Sequence, residues 1–299
     1  YPIDTFYIPE KLIEENRSGA IHSVVARTVS GDIVGHEAIY RSSPPNPNLY
    51  EYGVGLVLPA YRETFAFYRI NQLLCKKFGQ PGIDGIYGEP VCNHIITQKL
   101  CYQAKMPETA VEPALMPAQA YGSDDNTARV GCFINARVDR DQLRKLHVPS
   151  VYADEIFFIL DGLGLQRTLV EAESFETEGQ ASIKIEKFDS AGVARCTVTS
   201  HGKNLAERLA ELESELIKEN YAVCQFFVDL GQPWSGDAVR ILRESGFFLG
   251  GLLPIWFGHD GFLMQKLFID PGFDEMKIYS DRGRRLMEMV REDWGRRVK

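Results

Sequence analysis

The sequence predicts an α/β (α+β) protein built as two tandem lobes, and two observations carry that prediction. The stretch Tyr50–Lys77 opens as an apolar strand, Tyr52–Leu58, and is broken by Pro59, which removes a ladder donor and fixes φ. It continues as a helix from about Thr64, where Ala66, Ile70, Leu73, Leu74 and Phe78 recur at three- and four-residue steps. The same logic returns in the second half. Strands at Ile183–Phe188 and Val193–Thr199 lead into a helix capped by Asn204, with Glu207 completing a capping box and Leu205, Leu209, Leu212 and Leu216 as its apolar stripe. The apolar strand Val223–Leu230, the helix Asp237–Ser245 and the strands Phe247–Trp256 and Phe262–Leu267 then close that half.

In the first half, a short helix lies between Pro9 and Gly19. The strands His22–Val29 and Ile33–Arg41 join through Ser30-Gly31-Asp32, a hairpin spacing. Ser42–Asn48 carries three prolines and is a loop. After the central helix come a strand at Ile83–Gly88, a helix at Asn93–Gln103, a proline- and alanine-rich stretch at 107–122 with no element assigned, and a strand at Arg129–Val138. Gln142–Gln166 is a connection holding one helix, opened by Pro149-Ser150 and closed by Gly164; Glu171–Gln180 is an exposed acidic loop. Asp281–Lys299 is a terminal helix with a basic end, expected to be solvated rather than docked. The expected domains are 1–140, a connecting segment 141–178, and 179–299.

Composition narrows the function. A chain of 299 residues with 44% hydrophobic and 25% charged residues has room for two ordinary globular cores. A net charge of −8 argues against nucleic acid or an anionic membrane as a partner. No apolar run approaches the roughly eighteen residues of a membrane span, and no secretory signal pattern opens the chain as given. The six cysteines form no C-x-x-C pair and sit in apolar stretches, so they read as buried thiols in a reduced, cytoplasmic setting, with no metal site.

The order V-x-P-x-Y-R at Val57–Arg62 resembles the cofactor segment of the GNAT N-acetyltransferases, as does the hairpin before it. The run G-E-P-V-C-N-H-I-I-T-Q at Gly88–Gln98 resembles a subgroup of bacterial GNAT-like proteins whose module is often fused to an anti-sigma-factor kinase-like domain. I-L-R-E-S-G-F-F at Ile241–Phe248 resembles the end of the family's second motif. The resemblance implies two tandem GNAT-like lobes, each a mixed, mostly antiparallel twisted sheet flanked by helices. It also implies acetyl-CoA or another acyl-CoA as co-substrate, direct transfer to a small-molecule or protein amine, and room for a regulatory protein partner. The second lobe is expected to be degenerate.

That resemblance places the pantetheine arm along Leu56, Val57 and Leu58. It places the pyrophosphate at Arg62, Glu63, Thr64, Phe65, Ala66 and Phe67, where a helix N-terminus offers N–H groups and roughly half a positive charge. Phe65 and Phe67 stand where the family's loop carries glycine, which lets backbone approach phosphate. Catalytic candidates are Glu51 as base or strand-end carboxylate, Glu89 as base or helix cap, and Tyr102 as acid or packed aromatic. Asn93 either touches the cofactor or caps its helix, capping being favoured. In the second lobe, Ser200-His201-Gly202-Lys203 falls where a phosphate loop would lie, but a tight turn is the simpler reading; Trp234 walls a groove or fills core. His36 and His94 have no nucleophilic partner. A non-catalytic regulatory or ligand-binding module is the alternative to an enzyme.

Overall fold

A computed structural model describes residues 4–121, 129–172 and 178–296. Helix α1 (Pro9–Ser18) has Pro9 in its first turn and stops at Gly19, whose φ of 80° is left-handed. Strands β1 (Ile21–Arg27), β2 (Ile33–Tyr40) and β3 (Leu49–Val57) form an antiparallel meander. Helix α2 (Ala66–Leu74) returns the chain to β4 (Gly85–Gly88), which runs parallel to β3. Helix α3 (Ile96–Gln103) leads to the hairpin-paired β5 (Glu108–Pro117) and β6 (Arg129–Val138).

The second lobe follows the connection β7 (Arg144–Val148), α4 (Ala153–Asp161) and β8 (Arg167–Glu171). It contains β9 (Ser182–Phe188), β10 (Val193–Ser200), α5 (Leu205–Lys218), β11 (Val223–Asp229), α6 (Ser235–Glu244), β12 (Phe248–Leu253) and β13 (Gly261–Leu267). Helix α7 (Asp281–Arg296) ends the described chain. The spatial order β2-β3-β4-β6-β5 recurs as β9-β10-β11-β13-β12, with the same parallel or antiparallel sense at each step. The two halves join edge to edge where β5 meets β12, giving one eleven-stranded, mostly antiparallel sheet.

Several expectations need correction. The stretch 107–122 is not structureless, since β5 occupies most of it. Pro113 cannot donate to the ladder, and the strand accommodates it with a bulge: the register shifts between Glu112 and Met116, and Ala114 has a φ of 51°. Residue 122 lies outside the described residues. The connection holds a parallel pair, β7 and β8, besides its helix. Asn204 does not cap α5; its Oδ1 accepts the Ala181 N–H at 2.7 Å, which ties the connection to the helix instead. Helix α7 is docked rather than solvated. It packs on β12 and β5 and buries Leu286, Met289 and Val290, each worth about 1.5–3 kcal/mol. Its Asp293 accepts Tyr152 Oη–H at 2.7 Å and the Leu249 N–H at 2.8 Å. The terminal Arg297 and Lys299, and residues 173–177 of the acidic loop, lie outside the described residues.

The cores ignore the lobe boundary. Cys92, Val111, Leu115 and Phe133 of the first half share one cluster with Leu209, Phe226, Leu249 and Leu286 of the second. Tyr87 and Phe227 both pack on Trp256, at 5.1 Å edge-on and 5.2 Å stacked. The strand junction itself leaves no room for a side chain on β12. Gly251, at a φ of 145°, pairs with Ala110, and a Cβ there would sit 2.2 Å from the Thr109 carbonyl oxygen. Gly251→Ala should therefore destabilise the whole chain by at least about 1–3 kcal/mol from backbone strain alone. Urea unfolding followed by fluorescence would show it as a lower midpoint.

Candidate functional site

The site forms where β3 and β4 stop pairing. Their parallel ladder runs Leu49–Gly85, Tyr50–Ile86, Glu51–Tyr87 and ends there. Gly88 still lies against Tyr52: a Cβ on it would sit 3.1 Å from the Tyr52 carbonyl oxygen. Beyond that point β3 continues beside β2 alone, with Val54 at a φ of 52° marking a bulge.

Glu51 is held at the apex of this divergence. Tyr40, Glu51 and Tyr87 are opposite one another across β2, β3 and β4, so their side chains share a face. Tyr40 Oη donates to Glu51 Oε1 at 2.5 Å and Tyr87 Oη to Oε2 at 2.8 Å, while Ser42 Oγ bonds Tyr87 Oη at 2.6 Å. Glu51 is half-buried as a residue, yet enclosure of its carboxyl is the largest reason its pKa is raised. The charge of Glu89 adds to the rise, and the three hydroxyls oppose it.

Glu89 joins the same cluster from the end of β4 and is gripped by the second lobe. Arg195 Nη2 donates to Glu89 Oε1 at 2.8 Å, and the same atom lies 3.4 Å from Glu112 Oε1. Gln225 Nε2 donates to that Glu112 oxygen at 2.7 Å, and Gln225 Oε1 accepts from Arg195 Nε at 3.0 Å. Glu112 is 1% exposed, and its Oε2 has no partner among the described residues. Burial first, then the charge of Glu89, push its carboxyl up to about 8, against the pull of Arg195 and Gln225. Burial works against the charge on Arg195, but Glu89 and Glu112 outweigh it and hold the guanidinium protonated.

The expected cofactor residues lie together along the outer half of β3 and the start of α2. Leu56 and Leu58 are exposed, and Val57 is half-buried. Arg62, Glu63, Thr64 and Phe65 are exposed, with Arg62 Nε donating to the Val57 carbonyl at 3.3 Å. No side chain caps α2; Thr64 Oγ1 instead accepts the Ala66 N–H at 3.2 Å. Phe65 turns outward at 75% exposure, whereas the Phe67 ring lies over Gly55, its Cζ 2.9 Å from where a Cβ would stand. The helix N-terminus and Arg62 thus suit a diphosphate, while Phe67 narrows the strand beside it.

Two expected residues lie elsewhere. Tyr102 is 62% exposed on the outer side of α3, packed edge-on against Tyr279 at 5.6 Å. Asn93 does not cap α3, which starts three residues later; His94 Nδ1 takes the Ile96 N–H at 3.3 Å, and Asn93 Oδ1 is buried with no partner among the described residues. In the second lobe, the Ser200–Lys203 turn is filled. A Cβ on Gly202 would meet Ala181 N at 2.1 Å, and His201 stacks on Trp234 at 5.9 Å. His36 Nδ1 bonds the Val54 carbonyl at 3.1 Å. The depression along α5 lined by Glu211, Ser214, Glu215 and Lys218 is an open helix face and holds none of these residues.

Tyr40, Ser42, Tyr87, Glu112, Arg195 and Gln225 were not singled out from the sequence. A signal existed for one of them: Arg195 is charged and alternates with Val193 and Thr197 on one face of a strand. A second buried acid, Glu37, was also missed. It is 2% exposed beneath α2, beside Gly55 and the Phe67 ring. Burial raises it to about 7, opposed by Tyr52 and Asn71.

No family model and no curated protein matches the chain. Solved structures to which it is similar are acetyltransferases. A Desulfovibrio desulfuricans protein assigned to the GNAT family is 15% identical, matched over 44% of this chain and 76% of its own, at a TM-score of 0.34. A Salmonella typhimurium protein assigned as an acetyltransferase and solved with acetyl-CoA is 12% identical over 45% and 74%, at 0.37. The ribosomal-protein-S5-alanine acetyltransferase of Vibrio fischeri is 12% identical over 46% and 76%, also at 0.37. Likenesses this loose decide nothing about chemistry. Among the described residues no helix is long and apolar enough to cross a membrane.

A raised carboxyl costs stability as pH rises. Glu37 binds its proton more tightly folded than unfolded, so its favourable share is complete below about 4.5 and is lost as pH climbs towards about 7. Thermal melts between pH 4.5 and 7.5 should therefore show a shallower decline in Glu37→Gln than in the parent.

Proposed function

We propose that the chain is an acyl-CoA-dependent N-acyltransferase of GNAT type acting on an amine, with 1–140 as the lobe that carries the site, 141–178 as the connection and 179–299 as a second lobe that does not hold acyl-CoA. The observation that supports it best is the β3–β4 divergence, with Glu51 at its apex and the uncapped start of α2 at its outer end.

In this reading Arg62 and the N–H groups of Glu63, Phe65 and Phe67 hold the diphosphate, those of Thr64 and Ala66 being bonded within the turn, and β3 from Gly55 to Leu58 guides the arm that follows. Acyl-CoA would supply the activated thioester. Glu51 takes the proton from the acceptor amine, whose nitrogen lone pair forms the new C–N bond as the C–S bond breaks and the thiolate leaves. A carboxyl raised by burial suits that role, because a base poised nearer neutrality transfers protons most effectively. The hydroxyls of Tyr40 and Tyr87 orient it. Acidic surroundings favour a basic amine. Tyr102, exposed on α3, is left without a part, and the thiolate leaves unassisted by it. Glu89 is a partner of Arg195 in this reading, not the base.

A second reading is favoured by one observation, the Phe67 ring over Gly55. It is a GNAT-like module that binds a ligand or regulatory protein and has lost transfer.

Acetyl-CoA at about 100 times its Kd should stabilise the protein by about 2.7 kcal/mol, read as a higher melting temperature. Absence of any shift at millimolar acetyl-CoA overturns the enzyme reading. Where binding is seen, Glu51→Gln should leave it unchanged and slow transfer to primary amines about 10²–10⁴-fold. Phe67→Ala should tighten binding if the ring merely narrows the groove, and loosen it if the ring shapes the groove for a particular acyl chain.

A further inference from the structure

Among the described residues one cation reaches the carboxyl cluster, and it comes from the other lobe. Arg195 sits in the middle of β10, opposite Gln225 of β11 and Glu186 of β9. Its side chain leaves that sheet to contact Glu89 and Glu112 and is 12% exposed. A planar guanidinium held at Nε by Gln225 and at Nη2 by Glu89 has little freedom left.

The aligned ladders show why this is more than a chance ion pair. The last parallel pair is Glu51–Tyr87 in one lobe and Thr197–Phe227 in the other. By that register, the second lobe has Thr197 where the first has Glu51, and Arg195 where the first has Leu49. The second lobe has therefore no carboxyl at its own apex, and two residues earlier it carries a cation that reaches Glu89 and Glu112 of the first lobe.

The other groups facing the cluster bring no further positive charge. Tyr40 and Ser42 face it from the β2 side as hydroxyls. Tyr87 of β4 and Cys132 of β6 are pushed well up by burial and stay neutral. Two carboxyls, Glu89 and Glu112, thus share one guanidinium, while Glu51 beside Glu89 is bonded by the hydroxyls of Tyr40 and Tyr87.

We propose that Arg195 is a positioning residue lent by the second lobe: it neutralises Glu89, ties Glu112 in place, and so leaves Glu51 as the carboxyl free to exchange a proton. The acceptor side of the site is then composite, and the second lobe is retained for Arg195. What that proton is used for rests on the acyltransferase reading; the charge arrangement does not.

The test uses the full chain labelled with ¹³C at the glutamate carboxyls, titrated by NMR, with the Glu112 signal assigned through Glu112→Gln. In Arg195→Met, Glu112 should titrate about 1–3 pH units higher than in the parent. Arg195→Lys should return part of that shift, and Glu37, remote from the cluster, should not move. If Arg195→Met does not fold, the lysine variant alone decides, with a smaller upward shift expected because the two-point hold is lost. An unchanged Glu112 titration in the folded variant overturns the proposal. With acetyl-CoA and primary amines, Arg195→Lys should lower kcat while leaving KM for acetyl-CoA unchanged; an unchanged kcat in an active enzyme also overturns it. A moved titration without any acetyl-CoA binding sinks the transferase reading and leaves the charge arrangement standing.

Discussion

The rest of this molecule depends on the two halves of one sheet meeting at a glycine. Gly251 against Ala110 is the single backbone pairing between β12 and β5, and any Cβ at that position would overlap the neighbouring carbonyl. Because equivalent strands of the two halves meet there, antiparallel, the halves are related by an approximate two-fold axis through the junction. Trp256, gripped between Tyr87 of one half and Phe227 of the other, packs across the boundary.

This closure explains why the polar cluster is where it is. A lone Glu112 in the interior of β5 would be costly, because an unpaired buried charge is among the most destabilising things a fold can contain. It survives through Gln225, Arg195 and a pKa pushed up to about 8, which lets it carry a proton near neutrality. Glu89 remains paired for the same reason. Neither arrangement exists until Arg195 of β10 and Gln225 of β11 reach Glu89 and Glu112, so the cluster belongs to both halves.

The candidate cofactor groove follows a different logic, local to one strand and one helix. Its outer end has an uncapped helix start and an arginine, which suit an anion. Its inner wall carries an aromatic ring where the resembling family uses glycine. Phe65 and Phe67 looked equivalent in the sequence, one residue on either side of Ala66. The structure separates them, because successive positions at a helix start point in different directions: Phe65 faces solvent and Phe67 faces the sheet.

The sequence by itself determined the elements whose signals are local. The hairpin at Ser30–Asp32, the strand broken at Pro59, the αL stop at Gly19 and the apolar stripe of α5 were all readable, since periodicity, proline and glycine act within a turn or two of chain. It also pointed to Glu51 and Glu89. Strand β5 was hidden by Pro113, which a bulge absorbs, and β7 and β8 by their short length. Only the tertiary structure decided that α7 docks, that Asn204 bonds a neighbouring segment instead of its own helix, and that Arg195 reaches the first lobe's carboxyls. Such contacts join residues as far apart as 106 positions, between Arg195 and Glu89, and 141, between Tyr152 and Asp293. No local pattern encodes such a partner, because burial and charge neutralisation act through space and are blind to separation along the chain.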